Sequence, residues 1–237
     1  MKTRILALFI IALLTVASAL PLLVSAKPDQ AQLTILEIKA YGKPDGKPGG
    51  KPGGNTIPPE DNGLENPDYS LLRFHWYTTA EYWINTDNNY GFTVSQIVNV
   101  VQTSANTWDS ETYADVFSYG GTTSRSAGTR DYYNVVSWGS YQAGVIAVTF
   151  IWSAGRRIVE TDLRMNTYYA WSLDGEAGKM DVQNILTHEF GHWAGLNDRY
   201  KKADYWLTMY GYSDFGITYQ QTLGLGDIKG LQAFYGP

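Results

Sequence analysis

The chain contains three histidines, and two of them fall four residues apart in the run His188-Glu-Phe-Gly-His-Trp-Ala-Gly-Leu-Asn-Asp198. On a helix, positions i and i+4 share a face one turn apart, so these two imidazoles can meet at one point. That spacing suits zinc. Glu189 lies about 100° round the helix from His188, beside the metal position, where a carboxylate can take a proton from a metal-bound water. Gly195 permits a sharp reversal after the helix. Asp198, three residues further on, can then supply a third ligand, whereas the adjacent Asn197 carries no charge. Three protein ligands leave a fourth position open, as a catalytic zinc site requires. An ordinary exposed helix pair would share the bare His-Glu-x-x-His spacing. The Gly and Asp at the extended spacing, and the apolar Ile185, Leu186 and Trp193 around the pair, argue against that reading.

With a methionine downstream in Leu207-Thr-Met-Tyr-Gly-Tyr212, the pattern resembles the metzincin signature and its Met-turn. More narrowly it resembles the matrixin-like proteases of microbes, and residues 158–166 and 225–236 are similar to matrixin segments. The likeness covers about residues 70–237. It implies an α+β, zincin-type domain with a twisted, mostly parallel five-stranded sheet, three helices and a cleft above the zinc. It also implies a zinc-dependent endopeptidase acting on protein or peptide substrates. A catalytically weak or inactive binding module of the same fold, or an aromatic-rich binding domain, is the alternative.

The resemblance places Met209 beneath the zinc as an apolar floor and makes Asp227 a buried brace for the Met-turn. A simple helix N-cap is the competing reading of Asp227. Tyr210 and Tyr212 are candidates to assist at the metal, although the family's tyrosine sits at a different offset. Calcium, the usual matrixin stabiliser, would draw on Asp87, Glu160, Asp162 or Asp174, but turn formation or solvation accounts for each equally well. Two departures stand out. Asp198 replaces a third histidine, which lowers the site's charge and should raise its working pH. No cysteine is present, so latency through a propeptide thiol is excluded. Only His75 remains for any second, histidine-bound zinc, so that site is not expected, and between Phe74 and Trp76 His75 reads as structural or exposed rather than catalytic.

The elements that position these residues follow from periodicity. Thr93 and Gln96 form a capping box, behind which Val94, Ile97, Val98, Val101, Ala105 and Trp108 keep helical spacing. Tyr82 to Ile84 reads as a strand, 110–132 as a Gly- and Ser-rich loop, and 134–138 as a short strand. Val145 to Ile151 is an apolar run typical of a strand covered on both faces. In 157–166, Val159, Thr161, Leu163 and Met165 share one face, and Ile158, Glu160, Asp162, Arg164 and Asn166 a mostly polar one. Asp181 should N-cap the motif helix, with Met180 and Ile185 as a hydrophobic staple. A last helix should run from about Asp227 to Tyr235.

Composition allows such a domain. Of 237 residues, 44% are apolar and 14% aromatic, enough to build a core. The net charge of −5 comes with no basic block, so a nucleic-acid partner is not expected. After Lys2 and Arg4, an apolar run to Val24 ends in Val24-Ser25-Ala26, which reads as a secretory signal cut after Ala26. An uncleaved membrane anchor is the alternative. Residues 27–67 then form a linker or short propeptide. Its Gly-Lys-Pro repeat at Gly42, Gly46 and Gly50 cannot build a core and should be disordered, while 30–41 alternates enough for a short strand. The catalytic domain would span 68–237. Oligomeric state is not legible.

Overall fold

The computed structural model describes residues 31–40 and 63–237. The signal segment and the Gly-Lys-Pro repeat lie outside the described residues. Among the described residues no helix is long and apolar enough to cross a membrane.

Among the described residues nine strands and three α-helices form in the order β1 (Gln32–Ala40), β2 (Ala80–Ile84), α1 (Val94–Asp109), β3 (Phe117–Thr122), β4 (Asn134–Gly139), β5 (Val145–Ala154), β6 (Arg157–Asn166), β7 (Trp171–Ser172), β8 (Met180–Asp181), α2 (Val182–Trp193), β9 (Tyr212–Ser213) and α3 (Leu225–Tyr235). The main sheet runs β3-β2-β4-β6-β5-β1-β9. It is mixed: β5 runs antiparallel to both β6 and β1, and the other four pairings are parallel. The sheet is therefore not the expected mostly parallel five-stranded one: it mixes directions and has six full strands plus the two-residue β9. The two extra strands are β1, from the segment read as a linker, and β9, from the run after Met209.

Strand β3 falls inside the stretch read as loop. Its glycines misled because they serve packing: a Cβ on Gly120 would meet Trp83 Cε2 at 2.7 Å. Their absent side chains make room for the neighbouring indole. On β6 the face read as mostly polar is buried, with Glu160 and Asp162 at 0% and 1% exposure. Both carboxylates hold the loop before β4 and the start of that strand. Glu160 accepts the amides of Asp131 (2.9 Å) and Tyr132 (2.6 Å), and Asp162 those of Gly128 (2.6 Å), Thr129 (3.3 Å) and Val135 (2.8 Å). Buried carboxylates are tolerable when backbone donors satisfy them.

The helices form where their caps specify. The amide of Gln96 donates to Thr93 Oγ1, and that of Thr93 to Gln96 Oε1, closing the box ahead of α1. Asp181 caps α2 by accepting the amide of Asn184 at 2.8 Å. Every residue of α2 except Gln183 is buried, which marks a helix enclosed on all sides. It packs on β5 and α1, and Trp108 Nε1 of α1 donates to the carbonyl of Thr187 at 2.8 Å. Helix α3 begins at Leu225, two residues earlier than expected, because Gly224 is its cap and Asp227 lies inside the first turn.

Candidate metal centre

Helix α2 carries His188 and His192 to the same face, and the chain then reverses. Gly195 has φ +96°, and a Cβ there would meet the carbonyl oxygen of Phe74 at 3.0 Å. Both conditions favour glycine. The reversal is tied down by the amides of Gly195 and Leu196, which donate to His192 and Gly191 carbonyls. Asp198 is thereby returned to the two imidazoles.

The three side chains converge. His188 Nε2 and His192 Nε2 lie 3.2 Å apart. Asp198 Oδ1 is 3.2 Å from the first and 3.5 Å from the second. Tetrahedral ligand atoms at zinc bond lengths are separated by about 3.4 Å, so the spacing fits. Each imidazole is fixed from behind. His188 Nδ1 donates to the Thr208 carbonyl at 2.7 Å and His192 Nδ1 to the Leu196 carbonyl at 3.0 Å. A carbonyl can only accept, so both Nδ1 atoms carry protons and the two Nε2 atoms are the ring nitrogens turned to the common centre. Among the described residues this is the group of three His or carboxylate side chains placed to hold a metal ion.

Tyr200 completes the carboxylate's orientation. Its phenol donates to Asp198 Oδ2 at 2.8 Å, which leaves Oδ1 for the metal position and otherwise unpartnered. Gly211 lies flat against the Tyr200 ring, since a Cβ there would meet Cε1 at 2.5 Å. Burial alone would raise the Asp198 carboxyl, but His192 and His188 outweigh it and hold the group far below the usual carboxylate range. Burial would lower His192, but the charges of Asp198 and Glu189 push it up to about 9.

Glu189 is fully buried beside this group. Its Oε2 accepts the hydroxyl of Thr149 on β5, and its Oε1 has no partner. Burial raises its proton affinity, partly offset by His192, His188 and the Thr149 hydrogen bond. A buried carboxylate with one free oxygen and a raised pKa suits a general base.

Met209 is buried beneath α2, where a Cβ on Gly191 would meet its Sδ at 2.2 Å and Trp108 Cζ2 at 2.6 Å. Asp227 reaches this segment from α3. It accepts the amides of Thr208 (2.8 Å), Met209 (3.1 Å) and Gly224 (2.8 Å). The brace is therefore present, and the plain N-cap reading fails because Asp227 sits three residues past the cap. Since the same Thr208 carries the carbonyl behind His188, Asp227 acts on the imidazole at one remove. Asn184 and Gln220 brace the other side, with Gln220 Nε2 donating to the Tyr210 carbonyl at 2.8 Å. Tyr212 opens β9, and its ring packs against those of Tyr200 and Tyr210.

The sequence reading missed Tyr200, Thr149 and Gly191. Thr149 was legible as the one polar residue in the apolar run Val145–Ile151. Tyr200 had only its nearness to Asp198, and Gly191 only its place between the histidines. The calcium candidates Glu160 and Asp162 spend their oxygens on backbone amides, and neither they, Asp87 nor Asp174 join the metal-binding group. His75 stacks between Tyr77 and Phe234, with ring centroids at 4.5 and 4.1 Å, a packing role. A comparison with models of protein families matched none, nor did one with curated proteins.

Proposed function

We propose that the chain is a zinc-dependent endopeptidase of metzincin type, exported from the cell, in which His188, His192 and Asp198 hold the metal and Glu189 is the base. One observation carries this reading: three ligand atoms converge with both imidazole tautomers fixed, beside a buried carboxylate that has an unpartnered oxygen. When bound, zinc would supply Lewis acidity toward a scissile carbonyl and toward water. Glu189 takes the proton of the attacking water and hands it to the leaving amine. Thr149 fixes which Glu189 oxygen is free for that transfer. Tyr200 keeps Asp198 directed at the metal position.

Two histidines and one carboxylate also suit ferrous iron. What favours hydrolysis is Glu189, a base with no role in ligation. The test is metal content per purified chain together with chelator-sensitive hydrolysis of casein. Glu189→Gln should keep zinc and lose about 10²–10⁴-fold in turnover. Turnover within a few-fold of the wild type would remove Glu189 from the mechanism, and iron in place of zinc would remove the peptidase reading.

A further inference from the structure

A pair of side-chain amides lies buried behind the metal-binding group. Asn184 precedes His188 by four residues on α2, as His188 precedes His192, so the three share one face of the helix. Gln220 meets Asn184 from the turn Tyr219–Gln221, and both side chains are fully buried. The backbone amide of Gln220 donates to Asn184 Oδ1 at 2.9 Å. That bond sets the orientation of both groups. Asn184 Nδ2 turns to Gln220 Oε1, at 2.7 Å, and Gln220 Nε2 is left as the donating end. Its two N–H groups face the carbonyls of Tyr210 (2.8 Å), Tyr212 (3.4 Å) and Thr208 (3.5 Å). Thr208 Oγ1 in turn donates to the Gln220 carbonyl at 3.2 Å.

The segment held in this way touches two of the three ligands. The Thr208 carbonyl accepts His188 Nδ1. On the other side of the segment, the amide of Arg199 donates to the Met209 carbonyl at 2.8 Å, and the amide of Gly211 to the Arg199 carbonyl at 2.9 Å. Arg199 lies between Asp198 and Tyr200 in the chain. The ring of Tyr212 packs on that of Tyr200, with centroids 5.2 Å apart. His192 is independent of all this, because its Nδ1 partner is the Leu196 carbonyl just past its own helix.

We propose that Gln220, keyed to α2 through Asn184, is a positioning residue for His188 and Asp198. This rests on the reading of His188, His192 and Asp198 as metal ligands. Residues 205–211 belong to no helix or strand, so no regular ladder fixes their carbonyls and a side chain has to. A primary amide suits the task, with two donors for the carbonyls and an acceptor for Asn184. Since Asn184 stands on the ligand-bearing face, the segment is spaced from the same helix whose histidine it orients.

The test uses the whole chain carrying Gln220→Met, which keeps the length of the side chain and removes its polar atoms. Competition with a chromophoric chelator should show zinc Kd raised about tenfold, the lower end of the loss typical for groups that orient a ligand. In the zinc-stripped protein, NMR should show faster exchange of the His188 Nδ1 proton and of the Arg199 and Gly211 amides, with the His192 Nδ1 proton unchanged. Zinc held as tightly as by the wild type, with exchange unaltered, would overturn the proposal. So would a lower unfolding midpoint with exchange raised equally at both histidines, which is what a purely structural role produces. Asn184→Ala cuts the key to α2 and keeps Gln220, and it serves if Gln220→Met does not fold. It should weaken zinc at least threefold with the same selective loss at His188, and no change in either would count against the proposal. If the wild type takes up no zinc, the metal reading falls, and selective exchange at His188 alone then decides whether Gln220 holds the Thr208 carbonyl.

Discussion

Tyr200→Phe removes one oxygen atom, and its consequence for metal binding can be worked from the structure. The phenol donates to Asp198 Oδ2 at 2.8 Å, while Oδ1 faces His188 and His192. Burial and then the Asp198 charge hold the phenol above its usual range, so it stays a donor at neutral pH. A hydrogen bond to a charged group contributes about 1.5–3 kcal/mol net. The residue is 49% exposed, so water replaces part of the lost donor and the lower end applies. That is about tenfold in Kd, the lower end of the loss typical for partners that orient a ligand. Asp198→Ala, which deletes the ligand itself, sets the upper limit and should weaken zinc far more. Both are read by titrating zinc against a chromophoric chelator, with circular dichroism to show that each variant folds. Zinc held by Tyr200→Phe as tightly as by the wild type would refute the orienting role. Losses of equal size in the two variants would instead make Tyr200 a ligand.

Gly191→Ala should lower stability by about 1–3 kcal/mol, because its methyl meets Met209 Sδ and Trp108 in a packed core; an unchanged denaturation midpoint would show that the helix can shift freely. Zinc binding near neutral pH should release about one proton per ion, since His192 is pushed up to about 9 and its Nε2 must lose a proton to ligate. Calorimetry in two buffers of different ionisation heat reads that number, and a release of zero would contradict the protonated state. Asp162→Ala strands the amides of Gly128, Thr129 and Val135, at about 1–3 kcal/mol for each one left unsatisfied. Hydrogen exchange should accelerate at those three residues, and retained protection would mean that water replaces the carboxylate.

The sequence alone brought out the three residues that could hold a metal ion and the helix that carries two of them. The i, i+4 histidines, the Asp181 cap and the Gly195 reversal are local signals, set by helix geometry and by the backbone freedom of glycine. The capping box at Thr93 and the apolar run of β5 were legible for the same reason. Contacts between distant segments were not. Nothing local to Gly120 says that its missing Cβ accommodates Trp83, so β3 read as a loop. The alternation of β6 placed Glu160 and Asp162 on a polar face correctly, but only tertiary structure supplied the five backbone amides that let that face be buried. Asp227 could be read as cap or brace until α3 began two residues earlier and turned its carboxylate to Thr208 and Met209. The placement of β1 between β5 and β9 depends on pairing across more than a hundred residues. Strand alternation foretells a strand but not its partner, because backbone hydrogen bonds carry no address; only the free edge beside the metal site decided where it went.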